Sequence, residues 1–569
     1  MIFYLFLLGS LMNFELTSKK TFAIFLSLLF LNIPVQSQIM VNPETEFTSS
    51  NLPIIFIDTD GMEIEDALRI PANMGIIFNG QDNRNNITDP FNNYDGHIAI
   101  ETRGSMAQSF PKKSYRFETQ DSLGNDENAS LLGMPSENDW ILYAPFIDLS
   151  MIRNVLAYGI SNDIGRYASR THFCELILND EYQGVYVLME KIKRDNDRVD
   201  IARTDENDIA GDSLTGGYII KLDKKSGENV GWWISEFGTE FQYDYPKPDR
   251  IVIEQKEYIK NFMDDFESVV QSNKFTDPNS GYSSYIDIGS FVDHFILNEL
   301  FRNIDAYRIS AFLHKHCDSD GGKLNAGPVW DFNLSAGMAF FSADAGVTEG
   351  WVVDYNKDHP FDSWLVPFWW EKIAHESNFQ AQASQRWFEL RQSILDIDEL
   401  MTRIDCLFLM LNESRVRNWL KWNDQILDFL RPYDPSCFEQ DSTLLKQWFP
   451  ERIAWLDEQF EAASTSVSDE IFHNKPGQFN LRQNYPNPFN PSTTISYSVG
   501  ANGHSPLHHI DLSIYNILGQ KVATLVNKTQ SAGSYQVEWN ASGFASGVYL
   551  FRLETDKGFE QTKKMILVK

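Results

Sequence analysis

Between Asn51 and about Lys260 the chain is built of short apolar runs cut by Gly, Asn, Asp and Pro. Pro53-Ile54-Ile55-Phe56-Ile57, His97-Ile98-Ala99-Ile100, Ser114-Tyr115-Arg116-Phe117-Glu118 and Gly184-Val185-Tyr186-Val187-Leu188 are β-branched or aromatic and predict strands. One stretch breaks that rhythm. From Ser150 to about Ile164 the apolar residues recur at helical spacing, with Ser150 in the N-cap position. The second half differs: Ile286 to Phe301 predicts a long apolar helix, and Ala381 to Phe460 several amphipathic ones. Strands first and helices later predict an α+β domain over 38–460, with a β-rich lobe over about 51–260 and a helical lobe over about 261–460.

The two ends follow other patterns. Residues 461–478 begin with Ala462-Ala463-Ser464-Thr465-Ser466-Val467-Ser468 and predict a small polar linker. Residues 479–569 alternate polar and apolar positions between turn signals at Asn516 to Gly519, Ser531 to Gly533 and Ser542-Gly543, which predicts a small all-β sandwich. At the start, two apolar runs flank Lys19 and Lys20. The second, Thr21 to about Pro34, has the length of a signal-peptide core and leads to Val35-Gln36-Ser37, so 1–37 predicts a signal peptide, with Met12 a more ordinary start than Met1. The competing reading, an uncleaved anchor, suffers from the shortness of that run beside the ~20 residues a spanning helix needs. No stable membrane span is expected after processing.

Composition narrows the function. With 43% hydrophobic and 14% aromatic residues the chain carries enough apolar mass for a large core, and 569 residues exceed what one core usually serves. The formal charge of −31 argues against a nucleic-acid partner, which needs a basic footprint. An anionic cosubstrate would then require local Lys and Arg or a divalent cation. Cys174, Cys317, Cys406 and Cys437 are far apart and form neither a disulfide framework nor a zinc motif.

Two segments carry candidate chemistry. Arg103-Gly104-Ser105-Met106-Ala107-Gln108-Ser109-Phe110-Pro111-Lys112-Lys113-Ser114-Tyr115-Arg116, the densest basic segment of the β-rich lobe, joins a turn of small residues to lysines at the head of a strand. Backbone amides can approach phosphates there while an ammonium supplies charge. A lysine-guarded strand edge has the same pattern. The second segment is Asn303-Ile304-Asp305 after the long helix, followed by the strand Ala311-Phe312-Leu313-His314, a turn at Asp318 to Gly322, and Trp330-Asp331-Phe332-Asn333. Helix, acidic loop, hairpin and second acidic loop is how kinases present a catalytic Asp and then a magnesium-binding Asp. Oxygen ligands from Asp331 and Asn333 suit magnesium. Both carboxylates would also serve as plain turn formers. Other signals carry less. His314, His316 and Cys317 do not share a strand face, Asp58-Thr59-Asp60-Gly61 lacks the later Glu of a calcium loop, and Trp232-Trp233 and Trp369-Trp370 read as packing.

From Leu52 to Leu334 the chain resembles the CotH (spore-coat protein H) kinase family. The motifs are Arg103-Gly104 to Glu118, Asn138-Asp139-Trp140-Ile141-Leu142, Ile152-Arg153-Asn154, Tyr182-Gln183-Gly184-Val185-Tyr186, Glu190-Lys191-Ile192, Gly216-Gly217-Tyr218-Ile219, Asn303-Ile304-Asp305 and Trp330-Asp331. The resemblance implies an atypical protein-kinase fold that uses ATP and Mg2+ or Mn2+ to phosphorylate a protein substrate. Asp305 matches the catalytic aspartate and Asp331, assisted by Asn333, the metal ligand. Lys113 or Lys112 is the phosphate-contacting lysine, with Arg103 beside it. Arg153 orients the first-lobe helix, and Glu190 passes near the adenine. Ser310 stands where kinases commonly hold an Asn for a second metal, and the full glycine triplet is missing, so an inactive kinase-fold surface protein acting in adhesion or matrix binding is the alternative. The tail is similar to the sorting domain of the type IX secretion system, by Asn484-Tyr485-Pro486-Asn487-Pro488-Phe489-Asn490-Pro491, Ile514-Tyr515-Asn516-Ile517-Leu518-Gly519-Gln520 and Gly547-Val548-Tyr549-Leu550-Phe551. That resemblance implies an immunoglobulin-like sandwich, contact with the type IX machinery, and a secreted or cell-surface location in a diderm bacterium.

Overall fold

The computed structural model describes residues 47–66, 68–225, 231–338, 344, 346–430 and 443–471, and in the tail 480–481, 484, 487, 489–499, 507–516, 519–531, 533–555 and 559–568. The signal peptide expected over 1–37, Cys437, and Tyr485, Pro486 and Pro488 of the tail motif lie outside the described residues. Residues 47–49 and 86–88 form a small unit by themselves, in which the Ile87 amide donates to the Thr48 carbonyl at 3.0 Å.

Seven strands close into a barrel: β1 Ile54–Asp58, β2 Ile70–Ile77, β3 Tyr94–Arg103, β4 Ser114–Gln120, β5 Asp139–Tyr143, β6 Thr171–Leu178 and β7 Glu181–Glu190, in the order β1-β2-β3-β4-β5-β7-β6. Only β1 and β6 run parallel. Ile55, Ile57, Met74, Ile76, Ile98, Ile100, Phe117, Trp140, Leu142 and Leu188 fill its interior, as the alternation along each strand requires. Between β5 and β6 the chain forms helix α1, Arg153–Asp163. Its start corrects the expectation at Ser150. The residue ahead of the helix is Ile152, which cannot cap; the Asp148 carboxylate accepts the Arg153 amide at 3.1 Å, and the Ser150 hydroxyl donates to that same carboxylate at 2.6 Å.

A second sheet, ordered β9-β10-β8-β11-β12, contains β8 Tyr218–Leu222, β9 Trp232–Ile234, β10 Glu240–Tyr245, β11 Ala311–Lys315 and β12 Leu324–Ala326. The sequence pattern divides the domain near residue 260. Residue 260 lies inside helix α2, Ile253–Gln271, and β8 pairs with β11 across it. Local periodicity reports the strands and is silent on partners so distant in sequence. Helix α3, Ile288–Phe301, begins where the Asp287 carboxylate accepts the Ser290 amide at 2.7 Å, and it is buried on every face from Ser290 to Phe301.

The remaining helices include α4 Phe368–Ala374, α5 Ser377–Arg391, α6 Ile397–Met410, α7 Asn412–Leu430 and α8 Thr443–Ile471. The last runs through Glu461, so the first part of the stretch expected as linker is helical; residues 462–471 contain no Gly or Pro and open on two alanines. Helix α7 clamps the barrel. Asn418 Oδ1 accepts the Val185 amide at 3.1 Å, and the Trp422 indole donates to the Gln183 carbonyl at 2.8 Å. Gly184 sits between them at φ +88°, where an added Cβ would lie 2.4 Å from Asn418 Oδ1, so only glycine fits. In the tail, a three-stranded and a four-stranded sheet share one core that includes Leu481, Ile495, Trp539, Leu512, Phe551 and Met565. Among the described residues no helix is long and apolar enough to cross a membrane.

Candidate functional site

Two loops deliver the acidic residues. Helix α3 is ended by Arg302 in the left-handed conformation (φ 46°), and the chain turns through Asn303 to Ser310 into β11. Asn303 Nδ2 reaches both Asn298 Oδ1 and the Asp331 carbonyl at 3.3 Å, tying this turn to the next acidic loop. Tyr307 (φ 69°) and Ser310 (φ 52°) also adopt left-handed backbone, as does Asp331 (φ 59°). Such residues cost about 1–3 kcal/mol each and persist only where their surroundings hold them. The holding contacts are present. The Tyr307 hydroxyl donates to Glu299 Oε1 at 3.1 Å, the Asp331 amide donates to the Tyr158 hydroxyl at 3.0 Å, and the Phe332 amide donates to Asn154 Oδ1 at 2.7 Å. The Trp330 ring stacks on Tyr158 with centroids 5.8 Å apart.

Both loops open onto a cavity of about 480 Å³. The β3–β4 hairpin forms another wall with Arg103, Gly104, Ser105 and Arg116. Gly104 has φ +102°, and a Cβ there would lie 2.9 Å from the Ala107 Cβ, so the hairpin keeps its backbone open to the cavity only as glycine. Lys221, Asp223 and Lys224, at the end of β8, complete the lining together with Asp305, Ser310, Asp331 and Asn333.

Four carboxylates and four cationic side chains line this cavity. Burial, followed by the neighbouring carboxylates of Asp305 and Asp223, pushes Asp331 up to about 7, against the opposing pull of Arg103 and Lys224. Burial likewise raises Asp305, while Arg308, whose Nη2 lies 3.3 Å from Asp305 Oδ1, and Lys224 hold it down. Asp223, Asp305 and Asp331, three of the four aspartates that line the cavity with Asp66, thus act on one another where their repulsion is poorly screened. Oxygen donors of Asp305, Asp331, Asn333 and Asp223 are a set that a hard divalent cation accepts, and such a cation would relieve that repulsion. The same cavity holds four cationic side chains, Arg103, Arg116, Lys221 and Lys224, suited to an anionic ligand.

Of the residues singled out in the sequence, Asp305, Asp331, Asn333 and Arg103 meet in this cavity. Lys112, Lys113, Arg153 and Glu190 do not line it. Lys112 is buried in the joint between α7 and the barrel, where its ammonium donates to the Val185 carbonyl at 2.5 Å and to Asn418 Oδ1 at 2.7 Å. Ser114 and Arg116, on β4, do reach the cavity; Lys112 has their parity but lies ahead of the strand, in a bend, so the pleat does not set its direction. Lys113 Nζ donates to the Gln108 carbonyl at 2.5 Å. Arg153 is buried, pairs with Asp148 at 2.6 Å, and donates to the carbonyls of Ser335 at 2.8 Å and Ala336 at 3.0 Å. It therefore fastens the chain just beyond Asn333. Glu190 is fully buried and accepts from Arg170 Nη1 at 2.6 Å and from the Tyr167 hydroxyl at 3.2 Å. Sequence reasoning passed over Lys221, Asp223 and Lys224, and held Arg116 in the basic segment without giving it a role. One signal was available: Lys221 interrupts the apolar run Tyr218-Ile219-Ile220 directly after Gly216-Gly217.

His314 and His316 bond to the Gly327 carbonyl (3.0 Å) and to Asp320 (2.7 Å). The three-ligand grouping found among the described residues is Asp354, Glu371 and His375, with Lys357 paired to Asp354 at 2.8 Å and Glu371 at 3.2 Å. Cys174, Cys317 and Cys406 are free thiols.

Comparison with known families gives two matches. The family described as CotH kinase protein matches residues 100–456, more than half of the chain and including both acidic loops and helices α4 to α7. The family described as secretion system C-terminal sorting domain matches residues 483–569. No curated protein matches the chain.

Proposed function

Because the chain belongs to the CotH kinase protein family, we propose that it transfers the terminal phosphoryl group of ATP to a hydroxyl of a protein substrate, on a two-lobed kinase-like domain. Its C-terminal sorting domain makes it a protein secreted or surface-attached through the type IX secretion system, with whose machinery that domain interacts. The observation that carries the enzymatic reading is the convergence of Asp305, Asp331 and Asn333 with the Gly104 hairpin and four cations on one cavity.

In this reading Asp305 accepts the proton of the acceptor hydroxyl. Its raised proton affinity makes it a better base than an exposed carboxylate, and Arg308 keeps it oriented. The acceptor oxygen forms a bond to the terminal phosphorus as the bond to the bridging oxygen breaks, and ADP departs. Asp331 and Asn333 would hold the divalent cation, which supplies charge neutralisation to the phosphates when bound. Arg103, Arg116 and Lys221 bind and orient the phosphate oxygens, and the backbone at Gly104 and Ser105 approaches them. Tyr158 and Asn154 set the Asp331 loop through the two amides they accept. An immunoglobulin-like sandwich is the reading we favour for the tail.

The test is transfer of labelled phosphate from ATP with magnesium, in wild type beside Asp331→Ala. Wild-type labelling of an acceptor that Asp331→Ala abolishes supports the proposal. Nucleotide binding without transfer would instead favour the inactive surface protein, a reading that Ser310 in the cavity wall recommends.

A further inference from the structure

Beside the cavity lies a surface of large apolar side chains that the fold leaves outside. Phe361 is 97% exposed, Trp364 41% and Leu365 44%. Across from them, Trp232 and Ile234 point outward from β9, the edge strand of its sheet, while Trp233 between them is buried. Two lysines connect the groups: Lys224 Nζ lies 5.2 Å from the Trp364 ring centroid, and Lys225 Nζ lies 3.4 Å from that of Trp232. Lys224 also lines the cavity, so the apolar surface begins at the cavity wall.

The segment that presents Phe361, Trp364 and Leu365 does not depend on those side chains for its shape. Asn356 and Val366 exchange two hydrogen bonds, at 2.7 Å and 2.9 Å, and the Trp364 amide donates to Asp362 Oδ1 at 2.9 Å. The Tyr355 hydroxyl donates to Asp362 Oδ2 at 2.6 Å. Arg308 then joins the segment to the first acidic loop, donating to the Trp364 carbonyl at 2.9 Å while pairing with Asp305. Backbone and polar groups fix the segment, and three apolar side chains face water without contributing to the core. Contiguous exposure of this kind marks an interaction surface. Charge narrows the partner. Lys225 is already paired with Glu240, whereas Lys224 makes no ion pair among the described residues, and it stands out in a chain of net charge −31.

We propose that this surface docks the protein substrate. The occupant is an extended segment that lays an apolar side chain on Trp364 and Phe361 and turns an acidic side chain to Lys224, a few residues from the hydroxyl delivered to Asp305. This inference rests on the phosphotransferase reading above. The mode is a short strand-like peptide anchored by one or two rings, as extended recognition segments use.

The experiment is phosphorylation of a positional-scanning peptide library by the purified protein with ATP and magnesium, followed by kinetics on the preferred peptide. The expected result is selection for Phe, Leu, Tyr or Trp at one fixed distance from the acceptor, with Asp or Glu nearby. Phe361→Ser should raise KM for that peptide about tenfold with nucleotide affinity within about twofold, because its ring touches only the partner. Transfer without apolar preference, or an unchanged KM in Phe361→Ser combined with Leu365→Ser, overturns the docking surface and leaves the enzymatic reading intact. Absence of transfer to any peptide or protein removes both. A wild type that is dimeric by light scattering and monomeric as Phe361→Ser also overturns it, assigning the surface to a second copy.

Discussion

Glu299 and Asp331 are carboxylates within reach of the same chain reversal, and their surroundings are opposite. Glu299 is fully buried and accepts the amides of Val352 at 2.8 Å and Val353 at 2.9 Å, the Tyr307 hydroxyl, and Arg452 Nη2 at 3.2 Å. Arg452 is as deeply buried and donates further to the carbonyls of Glu299, Thr348 and Gly350. Asp331, by contrast, faces the cavity, and its carboxylate accepts no hydrogen bond among the described residues; Arg103 and Lys224 act on it only through space. Buried polar groups are normally satisfied. Where a charge is matched on every side it serves the scaffold, and here it fixes the Tyr307 turn that carries Asp305. Where the matching is left open beside other carboxylates, the arrangement calls for a ligand.

Four measurements test that contrast. Asp305→Asn should lower the transfer rate by about 10²–10⁴-fold, the range for a lost general base, with the unfolding midpoint essentially unchanged. Arg452→Met should do the reverse, costing about 3–5 kcal/mol in denaturant unfolding because Glu299 is left buried and unpaired. Equal stability losses in the two variants would erase the distinction between site and scaffold. Lys112 tests a third situation, a buried cation with only neutral acceptors. Burial lowers it to about 7, so between pH 7 and its ordinary value near 10.5 the unfolded chain binds one proton more than the native state, and stability rises with pH. Lys112→Met should remove a slope of up to about 1.4 kcal/mol per pH unit over that window, measured as the difference from wild type. Smallest is Asp331→Asn, expected to leave the fold as stable as wild type or to stabilise it by about 1 kcal/mol, since it removes repulsion from Asp305 and Asp223. A marked loss of stability there would move Asp331 to the scaffold side.

The chain's own periodicities determined a good deal. Strands at 54–58, 94–103, 114–120 and 181–190, the helix ending at Phe301, the hairpin between the acidic loops and a separate β tail were all readable, because side-chain alternation and turn residues act over a few positions. The two acidic loops were readable for the same reason, as short motifs at helix and strand ends. The sorting tail and the kinase-like family were legible in their motifs and agree with the family matches. What local pattern left undecided is which cations join Asp305 and Asp331. Lys112, adjacent to the hairpin in sequence, points into the joint with α7, while Arg116, Lys221 and Lys224 arrive at the cavity from strands whose partners lie far along the chain. Tertiary structure decided that, because Lys112 lies ahead of β4 and is held by Asn418 from far along the chain, and because only closure of the barrel and pairing of β8 with β11 determine which strand face becomes a cavity and which becomes core.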